Sequence, residues 1–204
     1  MATIIPLDEV QRVRDQIARA HVLAAARFRD AFAAQSELPP NERWRVHLEI
    51  QAAALLETAR DVRAAGRVHY DVVGRTVIPY VVRGEPLFRH LDLARTPEAL
   101  FEHFLIVSEM QSSAEWATTR VIATSDEYDA ALRRMQQPQL VRALVAAFLP
   151  SGEWHDDHAT LEVTLHARAG EERIERRLLA LGADREWVFH SRELIAEGKG
   201  GVVV

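Results

Sequence analysis

Leu7, Val10, Val13, Ile17, Ala20, Ala24, Phe28 and Phe32 recur at steps of three and four residues along positions 7–35. No other pattern in the chain restricts its fold as strongly. A stripe of that period runs down one side of an α-helix and has no counterpart on a strand, so it predicts one long amphipathic helix. The stretch "SELPP" (36–40) ends it, because proline disfavours helix at the residue before it and inside it. Pro40 then suits the first turn of a second helix. Trp44, Leu48, Leu55, Ala59 and Val62 line its face, with Gly66 as the expected C-cap. Two such helices with a short connection predict an antiparallel hairpin of rods about 35–40 Å long. Val46, Ile50 and Leu56 lie off the second stripe and need cover from the rest of the chain or from another subunit.

Past Gly66 the period shortens. "RVHYDVVGRTVIPYVV" (67–82) is rich in β-branched and aromatic residues around Gly74, which predicts a β-hairpin, with Pro79 placing its second arm at an edge or bulge. Thr96 and Pro97 open a helix over 96–107 as N-cap and N1. "EWATTRVIA" (115–123) reads as a strand. Thr124 and Glu127 stand at capping-box spacing before a short helix, and a further helix is expected after Pro138 as far as Phe148. In 160–168, Leu161, Val163, Leu165 and Ala167 alternate with polar residues, the mark of a half-buried strand. Residues 171–182 fit a strand or a short helix; strand is expected, because the flanking strands need a partner. A two-residue turn at Gly170-Glu171 would set His166 opposite Glu175. "REWVFHSREL" supplies another strand, with Trp187 and Phe189 on one face, and "EGKGGVVV" (197–204) reads as a frayed tail.

The absence of cysteine removes disulfides, thiolate metal sites and thiol catalysis. A net charge of −5, with no basic stripe, argues against a protein that lives on phosphate contacts. Arg12, Arg14, Arg19, Arg27 and Arg29 are interleaved with Asp8, Glu9, Asp15 and Asp30, which describes a solvated helix face. Lys199 is the only lysine among 25 basic residues, a bias that fits a GC-rich genome. No apolar run is long enough to cross a bilayer, and the first residues lack the basic start of a signal peptide. A cytoplasmic protein without membrane or nucleic-acid partners is expected.

Three groups of residues carry possible chemistry. "EWHDDH" (153–158) packs imidazoles and carboxylates suited to a divalent metal. Adjacent ligands alone do not close a coordination sphere, and the segment otherwise reads as a solvated loop from Ser151 to His158. Glu98, Glu102, His103 and Glu109 fall opposite the apolar stripe Leu100, Phe101, Phe104 and Leu105, and are expected on the solvent side. Tyr70, Tyr80, Trp116 and Trp187 could line a pocket between sheet and helices. Gly-x-Ser-x-Gly, His-Glu-x-x-His and Gly-x-Gly-x-x-Gly are all missing.

The fold class expected is α+β: an N-terminal antiparallel helical hairpin packed with a mostly antiparallel sheet that ends in a C-terminal meander. Residues 1–204 would form one domain, with 7–66 the hairpin and 67–204 the sheet with inserted helices. The function expected first is a non-catalytic binding or regulatory module without catalytic residues or cofactor. It would form a homodimer or dock a protein partner through the hairpin. The alternative is a metal-dependent hydrolase or lyase in which His155, Asp157 and His158 hold a divalent ion that polarises water. A second alternative is small-ligand binding in the aromatic pocket.

Overall fold

The computed structural model describes residues 1–73, 76–85, 87–111, 119–142, 148–168 and 171–199. Its helices are α1 (Leu7–Gln35), α2 (Pro40–Thr58), α3 (Pro97–Gln111) and α4 (Ser125–Arg134). The strands are β1 (Thr3–Ile4), β2 (Val62–Ala64), β3 (His69–Val73), β4 (Thr76–Tyr80), β5 (Leu91–Leu93), β6 (Arg120–Ile122), β7 (Gln136–Leu140), β8 (Ser151–Trp154), β9 (Ala159–Ala167), β10 (Glu171–Leu181) and β11 (Trp187–Lys199). The fold is α+β, with N-terminal helices followed by a C-terminal meander. Among the described residues, no helix is long and apolar enough to cross a membrane.

The main antiparallel sheet has seven strands, six in the order β1-β8-β9-β10-β11-β7 and the seventh, β6, paired with β9 off that path. β10 covers the whole of one edge of β9, while β8 takes residues 159–162 of the other edge and β6 takes 164–166. Two short pairs, β2–β5 and β3–β4, stand apart from it. Residues 171–182 adopt the strand of the two conformations their pattern allowed. β-Sheet pairing on both sides decides between them, since Leu179 and Leu181 face Leu161 and Ala159 across the ladder. The ladder register differs from the one a two-residue turn at 170–171 would set: His166 lies opposite Ile174, and Glu175 opposite Leu165. That one-residue slip turns Glu175 onto the other face of the sheet.

Alternation gives the sheet two faces. Leu161, Val163, Leu165, Leu179 and Leu181 pack with Val10 and Val13 of α1 and with Leu100, Phe101 and Phe104 of α3. On the opposite face, Ile174 with Ile122 and Ile195 packs under Ala131 of α4 and Met135 just after it. A third cluster joins α1 and α2 to α3 and the short strand pairs. The two N-terminal helices pair as the stripe predicted. Ile50 and Leu56, off the main stripe of α2, are covered from within the chain, where they pack against that third cluster.

Several expectations are corrected. α2 stops at Thr58, well before Gly66, and Val62 belongs to a strand. The cause is tertiary. The carboxylate of Glu102 accepts hydrogen bonds from the backbone N–H of Arg60 at 2.9 Å and of Asp61 at 2.6 Å, which holds the chain extended past Ala59. Thr58 meanwhile turns its hydroxyl back onto Ala54 O. Pro138 sits in β7, an edge strand with Gln137 at φ 52°, where the expected helix would have begun; residues 143–147 lie outside the described ones. Proline suits that edge, because no further strand asks for its missing N–H. Residues 197–199 are not a frayed tail. They pair with both β10 and β7, and Gly198 lets Gln136 O approach to 3.0 Å of where a Cβ would stand.

α3 explains the remaining correction. It lies between the hairpin and the sheet and is buried on nearly all sides, so Glu102 and His103 are interior rather than solvent-facing. Glu102 also accepts from Gln16 Nε2 at 2.7 Å, and Arg12 stands 3.6 Å away. His103 Nδ1 accepts the indole N–H of Trp187 at 3.0 Å.

Candidate functional site

The ionisable packet at 153–158 is a β-hairpin corner. Residues 151–154 are strand, and the His155 N–H donates to His158 O at 2.8 Å to close the turn. The rings of His155 and His158 stack with centroids 4.3 Å apart, and Asp157 Oδ1 lies 2.7 Å from His158 Nδ1. That hydrogen bond holds the Asp157 carboxyl below its ordinary pKa. The Asp157 side chain is 87% exposed and that of His158 44%. Glu153 pairs with the amino terminus. Among the described residues, no three His, Asp or Glu side chains are grouped so as to hold a metal ion.

The three aromatic candidates among the described residues do not line one pocket. Tyr70 is core: its hydroxyl donates to Met110 O at 3.1 Å, and burial pushes its phenol pKa up. Trp187 is wedged against two of the hydrophobic clusters. Tyr80 lines a hollow of about 740 Å³ beside the β3–β4 pair, with Phe88, Arg83 and Asp71. Trp116 lies outside the described residues.

A different cleft brings distant segments together. It has a volume of about 430 Å³ and lies where α1, α3 and α4 meet β6, at the junction where β6 takes over from β8 along β9. Ile17 of α1, Leu105 of α3, Val121 and Ile122 of β6 and Ala130 of α4 make its apolar wall. These side chains come from four elements, each of which shows this flank because its other flank is committed to a core.

One wall is locked by an ion pair. Arg14 Nη1 and Nη2 reach Glu127 at 2.6 and 3.2 Å, and Nη2 also donates to Val121 O at 2.8 Å. Glu127 is the acidic member of the capping box recognised in the sequence: its N–H donates to Thr124 Oγ1 at 3.2 Å. Its carboxylate accepts the N–H of Ala123 at 2.7 Å. Burial alone would raise the Glu127 carboxyl, but the hydrogen bonds from Arg14 and the backbone outweigh it and leave its pKa below the ordinary value. Glu109, at the α3 side, pairs with His21 of α1 at 3.1 Å, and this hydrogen bond raises the imidazole pKa.

The other wall carries free positive charge. Arg120 stands opposite His166 in the β6–β9 ladder, and Arg134 ends α4; both line the cleft and both are exposed. Neither has an ion-pair partner among the described residues. The carboxylate on their side of the sheet, Glu172, is engaged by His166 at 3.4 Å and by Arg168 at 3.8 Å. His166 is buried. Desolvation lowers its pKa against the pull of Glu172, and Arg168 and Arg120 push the same way as burial. Burial thus works against the charged imidazole, and the cleft has a buried histidine beside two guanidiniums that pair with no carboxylate among the described residues.

Sequence reasoning missed this site. Its one local signal was the capping box; Arg120 and Arg134 looked like any other surface arginine until the fold placed them together. No protein family matches this chain, and no curated protein or solved structure matches it either. The geometry of the site is therefore what bears on function.

Proposed function

We propose that this protein is a non-catalytic binding module whose small-molecule ligand occupies the cleft between α1, α3, α4 and β6. One observation carries the reading: an apolar-walled cavity of about 430 Å³ is bordered by polar groups, some locked and some unpaired. Small-molecule sites are concave, largely apolar and bear a few placed polar groups, with volumes of about 300–1,000 Å³. The Arg14–Glu127 tie supports a preformed site, since it fixes α4 against α1 before any ligand arrives.

Docking through the helical hairpin has less support. Two of the three surplus apolar residues of α2 that suggested it, Ile50 and Leu56, are partly buried against a cluster of the chain itself. The test is a thermal-shift screen of a chemically diverse fragment library against the wild-type chain and an Ala130→Trp variant. Ala130 lines the cleft and is only partly buried, so a bulky side chain there fills the space. Fragments that stabilise wild type should fail on the variant; at about 100 times Kd a ligand adds about 2.7 kcal/mol. Hits that stabilise both proteins equally would place binding elsewhere and end the reading.

A further inference from the structure

We infer that the ligand of the cleft is an amphipathic carboxylate, with its head on Arg120 and Arg134 and its apolar body against Ile17, Leu105 and Val121. This rests on the cleft being a binding site, and adds the chemical class of what enters it. The argument is a charge inventory. Among the described residues, five formal charges line the cleft: Arg14, Arg120 and Arg134 against Glu109 and Glu127. Arg14 and Glu127 neutralise each other in a near-bidentate pair, and Glu109 is turned to His21. Among the described residues, the lining guanidiniums without an ion-pair partner are Arg120 and Arg134. A cationic ligand would be repelled by both of them. A neutral apolar ligand would leave them unanswered beside it.

Guanidinium is a planar fork of fixed donors that matches a carboxylate, and it is more weakly hydrated than an ammonium, so it gives up water to an anion more readily. Both arginines sit on regular elements, Arg120 on a paired strand and Arg134 in the last turn of α4, so their backbones are held in place. A phosphate dianion fits less well. Such groups are commonly cradled by backbone N–H groups at a helix N-terminus. Here the α4 N-terminus is occupied by its own cap: Glu127 N–H goes to Thr124 Oγ1 and Ala123 N–H to Glu127. The α4 residue that faces the unpaired charge is at the opposite, C-terminal end. The apolar wall asks for a hydrocarbon body, which a small hydrophilic acid does not have.

Four probes with one hydrocarbon chain separate the possibilities: octanoate, octanol, octylamine and octyl phosphate, each titrated calorimetrically into the full chain at low micellar risk. Octanoate should bind, octanol should bind at least about tenfold more weakly, and octylamine should be weakest. Arg120→Gln and Arg134→Gln are surface changes that leave the core intact, and each should weaken octanoate about tenfold, as expected for loss of one charge-assisted hydrogen bond, while leaving octanol unchanged. Octanol binding as tightly as octanoate, or octanoate binding unchanged in both arginine variants, overturns the carboxylate assignment but leaves the cleft as a site. Tighter binding of octyl phosphate than of octanoate overturns it in favour of a phosphate head. Failure of all four probes to bind overturns it outright, and the fragment screen on Ala130→Trp then decides the cleft separately.

Discussion

His103 makes the fold acid-sensitive through one buried ring. Its side chain is fully buried on α3, its Nδ1 accepts from Trp187, and its Nε2 has no hydrogen-bond partner among the described residues. Since Nδ1 accepts, the ring proton of the neutral form sits on Nε2. A second proton would have to displace the indole N–H and place a charge in the core. Burial, reinforced by Arg185, pushes the pKa down from 6.5 to about 3. The unfolded chain binds this proton near its ordinary pKa and the native chain does not, so stability is complete above about pH 6.5 and is lost as pH falls toward about 3. At about 1.36 kcal/mol per pH unit, the native state gives up about 2.5 kcal/mol between about pH 7 and about pH 4.5 on this account. A His103→Asn variant keeps a side-chain acceptor for Trp187 but cannot titrate. It is less stable than wild type at neutral pH because of the smaller side chain. Urea unfolding followed by tryptophan fluorescence across this range should show that deficit shrinking by about 2.5 kcal/mol on acidification, with all other titrating groups common to both proteins. A deficit that stays constant with pH would mean that His103 is protonated in the native state, and would refute the reasoning.

Glu102→Ala should be among the most damaging single substitutions outside the apolar core. It orphans the N–H groups of Arg60 and Asp61, leaves the Gln16 amide only Thr58 O as an acceptor, and leaves Arg12 without its nearest interior carboxylate, for a cost of about 3–5 kcal/mol in urea unfolding. A loss under about 1 kcal/mol would show that water replaces the carboxylate. Gly152→Val should lower the melting temperature, because a Cβ there stands 3.2 Å from Leu100 Cδ1 and 3.3 Å from Pro97 Cα, where β8 passes the start of α3. Overpacking of this kind costs about 1–3 kcal/mol, and an unchanged melting temperature would show that α3 can move away.

What was legible in the sequence was what local periodicity encodes. The stripe from Val10 to Ala24 and the alternation from Leu161 to Ala167 placed α1 and β9, because in each the apolar positions recur with the period of the element. Thr96 and Thr124 cap as read, with Oγ1 of each accepting an N–H three residues on. The failures share a cause: a partner distant in sequence decided the local outcome. α2 ends at Thr58 because Glu102, some forty residues later, takes the next two backbone donors. Pro138 sits within a strand, where a helix was expected to begin, because β11 offers an edge. Glu102 and His103 looked solvent-facing because α3 was taken to have one buried face, whereas it is packed between a hairpin and a sheet.

The cleft follows the same logic one level up. β8 covers only the first half of β9 on its free edge, and the short β6 covers the rest, so the sheet margin changes hands there. At such a junction one strand cannot seal the boundary between the two faces. α4, which packs on one face, and α1 and α3, which pack on the other, leave a gap around the edge of the sheet. Closing it with apolar side chains alone would have fused the two cores. Instead Arg14 crosses from α1 to Glu127 of α4, a polar tie that holds the walls together while keeping them apart. A partly exposed pair of this kind is worth only about 1 kcal/mol as a source of stability. Its geometry matters more: two hydrogen bonds to the carboxylate and one to the Val121 carbonyl set the spacing of α1, β6 and α4 at once. The tie adds little energy, yet it fixes three elements around a hollow bordered by two arginines that have no ion-pair partner among the described residues.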